Sequence, residues 1–142
     1  MFKLKIIKYI WAAPYTAIGL AFGAITLLFG ASVRVHRGAF EFGGGRVGRS
    51  ASRLPVPLRF SAITFGHVVL GIDEATLAAV RTHERVHVRQ YERWGPLFIP
   101  AYLLSSLAQL VRRRHPYRDN YFEREAYAKA STEDPSTTGF HA

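Results

Sequence analysis

No cysteine occurs in the 142 residues, which excludes a disulfide framework, a thiolate metal ligand and a thiol nucleophile. Acidic residues are scarce: ten Asp and Glu stand against nineteen Lys and Arg, a formal net charge of +9. An excess of this size attracts nucleic acid or anionic lipid. Nucleic-acid binding wants basic side chains interleaved with exposed aromatics, or a recognised module, and neither is visible. No internal repeat is present either. Once an apolar N-terminal segment and a polar tail are set aside, about 100 residues remain, enough for one small core and not for two domains.

Against these absences stands one long uncharged run, Tyr9 to Ala31. Its length suffices for a transmembrane helix, which needs about 20 apolar residues. Trp11 and Tyr15 sit near one end, as interfacial anchors do, and Pro14 falls in the first turns, where it is best tolerated. Lys3, Lys5 and Lys8 form a basic start over residues 1–8, as in a cleaved signal peptide. The apolar part is long for that role, however, and no A-x-A site follows, so an uncleaved anchor over 9–31 is expected. With an anchor in the chain, anionic headgroups become the expected partner of the basic surface. Basic residues flank both ends of the run, and their balance slightly favours a cytoplasmic main domain.

Residues 32–130 read as one α+β domain. Ser32–Arg37 and Ala39–Phe42 alternate apolar and polar around Gly38, as a hairpin does. Gly43, Gly44, Gly45, Gly48 and Ser50 mark a loop. Ile63–Leu70 reads as a strand, with Gly66 allowing close backbone approach. Asp73 is an N-cap followed by Glu74 in the first turn; no Gly or Pro interrupts Glu74–Trp94, and Gly95-Pro96 stops the helix. A second uncharged stretch, 94–111, predicts a helix from about Pro100 that is buried or lies at the membrane interface beside Arg112, Arg113 and Arg114, with a second membrane span as the alternative. The Ser/Thr/Pro/Gly composition of 131–142 predicts a disordered tail.

The helix over Glu74–Trp94 carries His83-Glu84-Arg85-Val86-His87, an H-E-x-x-H sequence. With six His and seven Glu in the chain, composition alone would produce it in about one shuffled sequence in a hundred. Two imidazoles four residues apart lie on one helical face and can bind the same Zn²⁺, while Glu84 can act as general base on a metal-activated water. Arg81, Arg85, Arg89 and Arg93 lie on the opposite side and predict a cationic outer face. A catalytic zinc site usually takes three protein ligands. Glu92 lies on another face of the same helix, and Glu133 and Asp134 fall in the tail. Asn120–Ala130 reads as a short helix capped by Asp119 or Asn120. On it Glu123 shares a face with the small residues Ala126 and Ala130, which favours it as third ligand, with Glu125 as the alternative. His67, on the preceding strand, is a further polar side chain near the motif, although a histidine in a strand is more often simply hydrogen-bonded. His36, His115 and His141 have no partner at ligand spacing.

His83-Glu84-x-x-His87 followed by Phe122-Glu123-x-x-Ala126-x-x-x-Ala130 resembles the gluzincin zinc peptidases. The likeness is strongest to the membrane-embedded group that includes the CAAX prenyl proteases and the bacterial heat-shock membrane peptidases. It covers roughly residues 61–130. It implies a zincin-like core, one Zn²⁺ per chain held by His83, His87 and Glu123, and hydrolysis of a peptide or protein substrate. It also implies a substrate cleft lined by the strand before the motif helix. Where that group usually has an aspartate four residues after the ligand, this chain has Tyr127. Tyr127 and His67 are then the side chains left to assist the transition state. Two other classes compete. One is a non-catalytic membrane scaffold whose H-E-x-x-H is coincidental or degenerate. The other is a carboxylate-bridged di-iron protein, which needs two E-x-x-H motifs where this chain has one.

Overall fold

The computed structural model describes residues 2–55 and 60–133. Helix α1 (Phe2–Leu28) leads into a hairpin of β1 (Ala31–His36) and β2 (Ala39–Gly44), then helix α2 (Gly45–Ser52). A second hairpin, β3 (Ala62–Phe65) and β4 (Val68–Gly71), precedes α3 (Glu74–Trp94), a short 3-10 turn (Gly95–Leu97), α4 (Phe98–Val111) and α5 (Tyr121–Glu133). The four strands form one mixed sheet in the order β1-β2-β4-β3. Both hairpin pairs are antiparallel, and β2 with β4 is the parallel pair. The fold is therefore α+β, with an apolar N-terminal helix and a small sheet.

Register decides what each face of the sheet meets. Glu41, Thr64 and Val69 share one face, because Glu41 pairs with Val69 and Val69 with Thr64. This face meets α3: Arg81 makes a two-pronged bond to Glu41, and Ala39 and Val69 pack with Leu77 and Val88. Phe42, Val68 and Phe65 occupy the other face and meet α1. A Cβ added to Gly19 would stand 2.6 Å from the Cβ of Val68, and one added to Gly23 would stand 2.6 Å from the ring of Phe42. Ala12, fully buried, joins Tyr91, Phe98 and Phe122 in the main core. Small residues at 12, 16, 19 and 23 thus make one face of α1, following helical spacing.

Several expectations change. Helix α1 starts at Phe2, so Pro14 lies in its interior and removes one backbone bond there. The single strand expected over Ile63–Leu70 is a hairpin turning at Gly66-His67. Gly66 has φ +59° and its α-carbon lies against Thr16 of α1; a glycine at the first central position with positive φ suits a two-residue turn that matches strand twist. The close approach expected at Gly66 is thus made to α1. The glycine loop expected at 43–50 is divided between the end of β2 and α2, with Gly48 packed on the Ile72 carbonyl. Helix α5 continues through Ser131 to Glu133, three residues into the expected tail; 134–142 lie outside the described residues.

The arginine row on α3 is not a plain solvated face. Arg81 pairs with Glu41 of β2, Arg89 with Glu133 and Arg93 with Glu125 of α5. The row staples α3 to the sheet and to α5. Two helical stretches, Lys5–Leu28 and Glu74–Val111, are long and apolar enough to cross a membrane. On α4, Leu103, Leu104, Leu107, Leu110 and Val111 are all exposed.

Candidate metal centre

Helix α3 begins where the Asp73 carboxylate accepts from the backbone N–H of Thr76 at 2.7 Å, and it ends at Gly95 with φ +54°. Helix α5 begins where Asn120, fully buried, accepts from the N–H of Phe122 at 2.9 Å while its amide nitrogen donates to the Tyr102 carbonyl and the Ser106 hydroxyl. These two caps set the phase of both helices. The result brings His83 and His87 on α3 opposite Glu123 on α5.

The three side chains converge. The Nε2 atoms of His83 and His87 stand 3.1 Å apart, Glu123 Oε2 lies 3.2 Å from His83 Nε2, and Glu123 Oε1 lies 3.4 Å from His87 Nε2. His87 and Glu123 are buried and His83 is nearly so. Together they form a group that could hold a metal ion. Two lone-pair nitrogens pointed at each other can share only one proton. Glu123 Oε2 and His83 Nδ1, both buried, have no hydrogen-bond partner. Buried polar atoms left in this state cost stability unless something satisfies them, and a cation among these donors would satisfy the carboxylate and both Nε2 atoms.

Neighbouring groups fix each ligand. Gln90 donates through its amide nitrogen to the Phe122 carbonyl (3.0 Å) and to Glu125 Oε2 (2.8 Å), so its oxygen is turned to His87 Nδ1 at 2.8 Å. Nδ1 is therefore the donor, and Nε2 presents its lone pair to the centre. The Tyr102 hydroxyl donates to Glu123 Oε1 at 2.7 Å. Burial alone would raise the Glu123 carboxyl, but the close imidazoles of His83 and His87 and the Tyr102 hydroxyl outweigh it. The carboxyl is held well below the ordinary range. The Thr64 hydroxyl of β3 donates to Glu84 Oε2 at 2.7 Å, and the Tyr91 hydroxyl donates to the Thr64 carbonyl, tying the edge strand to the motif helix.

The other residues singled out by sequence fall as follows. Glu125 lies off the centre, bonded to Gln90, Arg93 and Lys129. Burial raises its carboxyl less than those three bonds lower it, to about 2. The Tyr127 ring stands 4.4 Å from that of His83, and its hydroxyl is 3.4 Å from that of Tyr117. His67 is not brought to the centre: it stacks on Tyr9, contacts Thr16 through Nδ1 and meets Glu92, itself paired with Lys8. Gln90, Tyr102 and Thr64 are supporting groups that the motif does not mark. Gln90 had a signal, since it follows His87 by three residues on the same helical face; Tyr102 and Thr64 come from other elements and no spacing marks them. No protein-family model, no curated protein and no solved structure matches this chain.

Proposed function

We propose that the protein is a membrane-anchored zinc peptidase in which His83, His87 and Glu123 hold the metal and Glu84 is the general base. The observation that carries the reading is the spacing of the donor atoms, 3.1, 3.2 and 3.4 Å. Ligands about 2 Å from a tetrahedral zinc stand about 3.3 Å from one another. The donor set, two imidazoles and one carboxylate, suits zinc, and catalytic zinc sites commonly use three protein ligands. Among the described residues this is the one group of its kind, which argues against a dinuclear iron centre.

Zinc bound there supplies Lewis acidity to water and to a substrate carbonyl. The remaining work belongs to the chain. Thr64 occupies one oxygen of Glu84, so the carboxylate is held in orientation and offers its other oxygen to the proton of an attacking water. Gln90 keeps the His87 lone pair on the centre, and Tyr102 holds the Glu123 carboxylate across from it. Tyr127, whose ring packs on His83, is the side chain this reading assigns to a substrate oxygen. The exposed apolar residues of α1 and α4 support a lipid surface beside this centre, with anionic headgroups as partners of the basic chain.

A peptide library incubated with detergent-purified protein, with cleavage read by mass spectrometry, tests the assignment of roles. Glu84→Gln should retain zinc and lose cleavage by about 10²–10⁴-fold, the worth of a positioned general base; His83→Ala should lose both. Cleavage undiminished in Glu84→Gln would remove the general-base role. No cleavage and no zinc in the wild type would leave a non-catalytic membrane scaffold.

A further inference from the structure

In the arginine row on α3, Arg81, Arg89 and Arg93 each meet a carboxylate. Arg85, and Arg37 at the tip of the β1–β2 hairpin, form no ion pair among the described residues. Register brings these two together. Glu41 of β2 meets Arg81, and Ala39 packs in one cluster with Val88, further along α3. The strand therefore runs against the direction of the helix. Two residues of strand cover about 6.7 Å and four of helix about 6 Å. Arg37, four residues before Glu41, falls near Arg89, eight residues after Arg81, with Arg85 one turn away. Burial first, and then the charges of Arg37 and Arg89, push the Arg85 guanidinium below its ordinary value. Glu133 of α5, bonded to Arg89 at 2.7 Å, is the carboxylate this group shares, while Glu41 is held by both prongs of Arg81. Three guanidiniums around one carboxylate leave two positive charges in surplus.

The backbone adds a second observation. Arg37 and Gly38 are the two central residues of the hairpin turn, with φ +48° and +87°. A two-residue turn with positive φ at both positions suits Asn-Gly, and a long side chain at the first of them is held against its backbone preference. Strained positions of this kind gather at sites with a task. Here the strain sets a third guanidinium beside Arg85 and Arg89, where like charges repel unless an anion joins them.

We propose that Arg37, Arg85 and Arg89 form a binding site for the phosphoryl group of a phosphomonoester, with Glu133 holding Arg89 in place. Guanidinium forks bind phosphate oxygens two at a time. A phosphomonoester carries about −1.5 to −2 charge at neutral pH, which matches the surplus. A soluble phosphomonoester and the headgroup of phosphatidic acid offer the same anion; the chemistry is shared. By helical spacing Arg85 and Arg89 lie on the flank of α3 away from His83 and His87. This site does not depend on the metal reading.

The test titrates the full chain, in a detergent without phosphate, with inorganic phosphate and with phenyl phosphate, read by calorimetry. A parallel arm measures flotation with phosphatidylcholine vesicles, with and without phosphatidic acid. The expected result is saturable binding of one phosphoryl group per chain, weakened at least about tenfold in Arg85→Gln and in Arg37→Asn, the worth of one charge-assisted hydrogen bond. Arg37→Asn also separates binding from folding. Asparagine suits the left-handed turn, so the thermal midpoint should stay level or rise while phosphate binding falls. Arg49→Gln, which changes an exposed and unpaired arginine of α2, should leave binding unchanged. Saturable binding of the soluble probes assigns a soluble phosphomonoester. Binding confined to the phosphatidic acid vesicles, with the same dependence on Arg85 and Arg37, assigns the lipid headgroup. Absence of binding in both arms would overturn the proposal, and so would equal weakening by Arg49→Gln, which would mean diffuse attraction to the net charge. Phosphate binding that appears only after Asp134→Asn would make that carboxylate the occupant, with the same consequence.

Discussion

Gln90 settles the protonation pattern of the centre because both of its amide hydrogens are committed elsewhere, to Phe122 and Glu125, leaving only its oxygen for His87. Replacing it with Leu keeps the bulk and removes the acceptor. Zinc affinity should fall by about 10–100-fold, the usual cost of losing such an outer partner, while zinc content at saturation stays near one per chain; competition with a chromophoric chelator reads this. A second test concerns the Arg81–Glu41 pair. Glu41 is 7% exposed and Arg81 29%, and both guanidinium contacts are 2.8 Å. Arg81→Ala leaves a buried carboxylate uncompensated and should cost about 3 kcal/mol in denaturant unfolding, the low end for a broken buried pair since the arginine is partly exposed. The third is a pH effect. The Glu125 carboxyl is lowered to about 2 in the folded chain against about 4.3 when unfolded. A depressed carboxyl adds stability that is complete above the unfolded value and fades as pH falls toward the folded one. Glu125→Gln should therefore flatten the acid limb of the stability curve between roughly pH 5 and 2, with the loss of stability largest near pH 7 and vanishing toward pH 2.

At the scale of elements, α1 is part of the fold along most of its length. Ala12 sits in the core with Tyr91, the Tyr15 hydroxyl donates to the Pro96 carbonyl, and Gly19 and Gly23 lie on the sheet. Gly23→Val, which has no room before Phe42, should destabilise the protein by about 2 kcal/mol through overpacking, and the membrane-extracted protein should retain its N-terminal residues by intact mass. A mature chain starting near residue 31 would contradict this. The sequence made the helix legible and its packing illegible: a run of apolar residues with interspersed Gly and Ala suits both a lipid-facing helix and one pressed on a sheet. Helix α3 was readable to the residue because an Asp cap and a Gly-Pro stop are local signals. The β3–β4 hairpin was not, since a two-residue turn inside an apolar run leaves no polar gap and only Gly66 marks it. The glycines of α2 hid a helix held by packing, with Gly48 against Ile72. The donor pair on α3 followed from four-residue spacing alone, whereas the choice of Glu123 over Glu125 depended on the phase that Asn120 imposes on α5.

For the whole molecule, one small core serves two surfaces. The sheet separates a polar side, where α3 and α5 converge on His83, His87 and Glu123, from an apolar side covered by α1. The ion pairs from α3 to β2 and α5 lock the polar side, so the geometry of the centre depends on long-range packing. In the proposed reading the exposed apolar residues of α1 and α4 would supply a membrane contact and the basic excess an attraction to headgroups. Burial lowers the His87 imidazole, but the Glu123 contact, the Glu84 and Glu123 charges and the Gln90 bond raise it to about 9. Because a ligand imidazole must lose its proton to bind, zinc affinity should fall as pH is lowered below about 9. Elemental analysis of detergent-purified protein is the most direct measurement of the central claim, with wild type beside Glu123→Ala and Glu125→Ala. One zinc per chain in the wild type and in the Glu125 variant, lost in the Glu123 variant, is the expected result. No metal in the wild type after zinc is supplied, or retention of zinc without Glu123, would contradict the account.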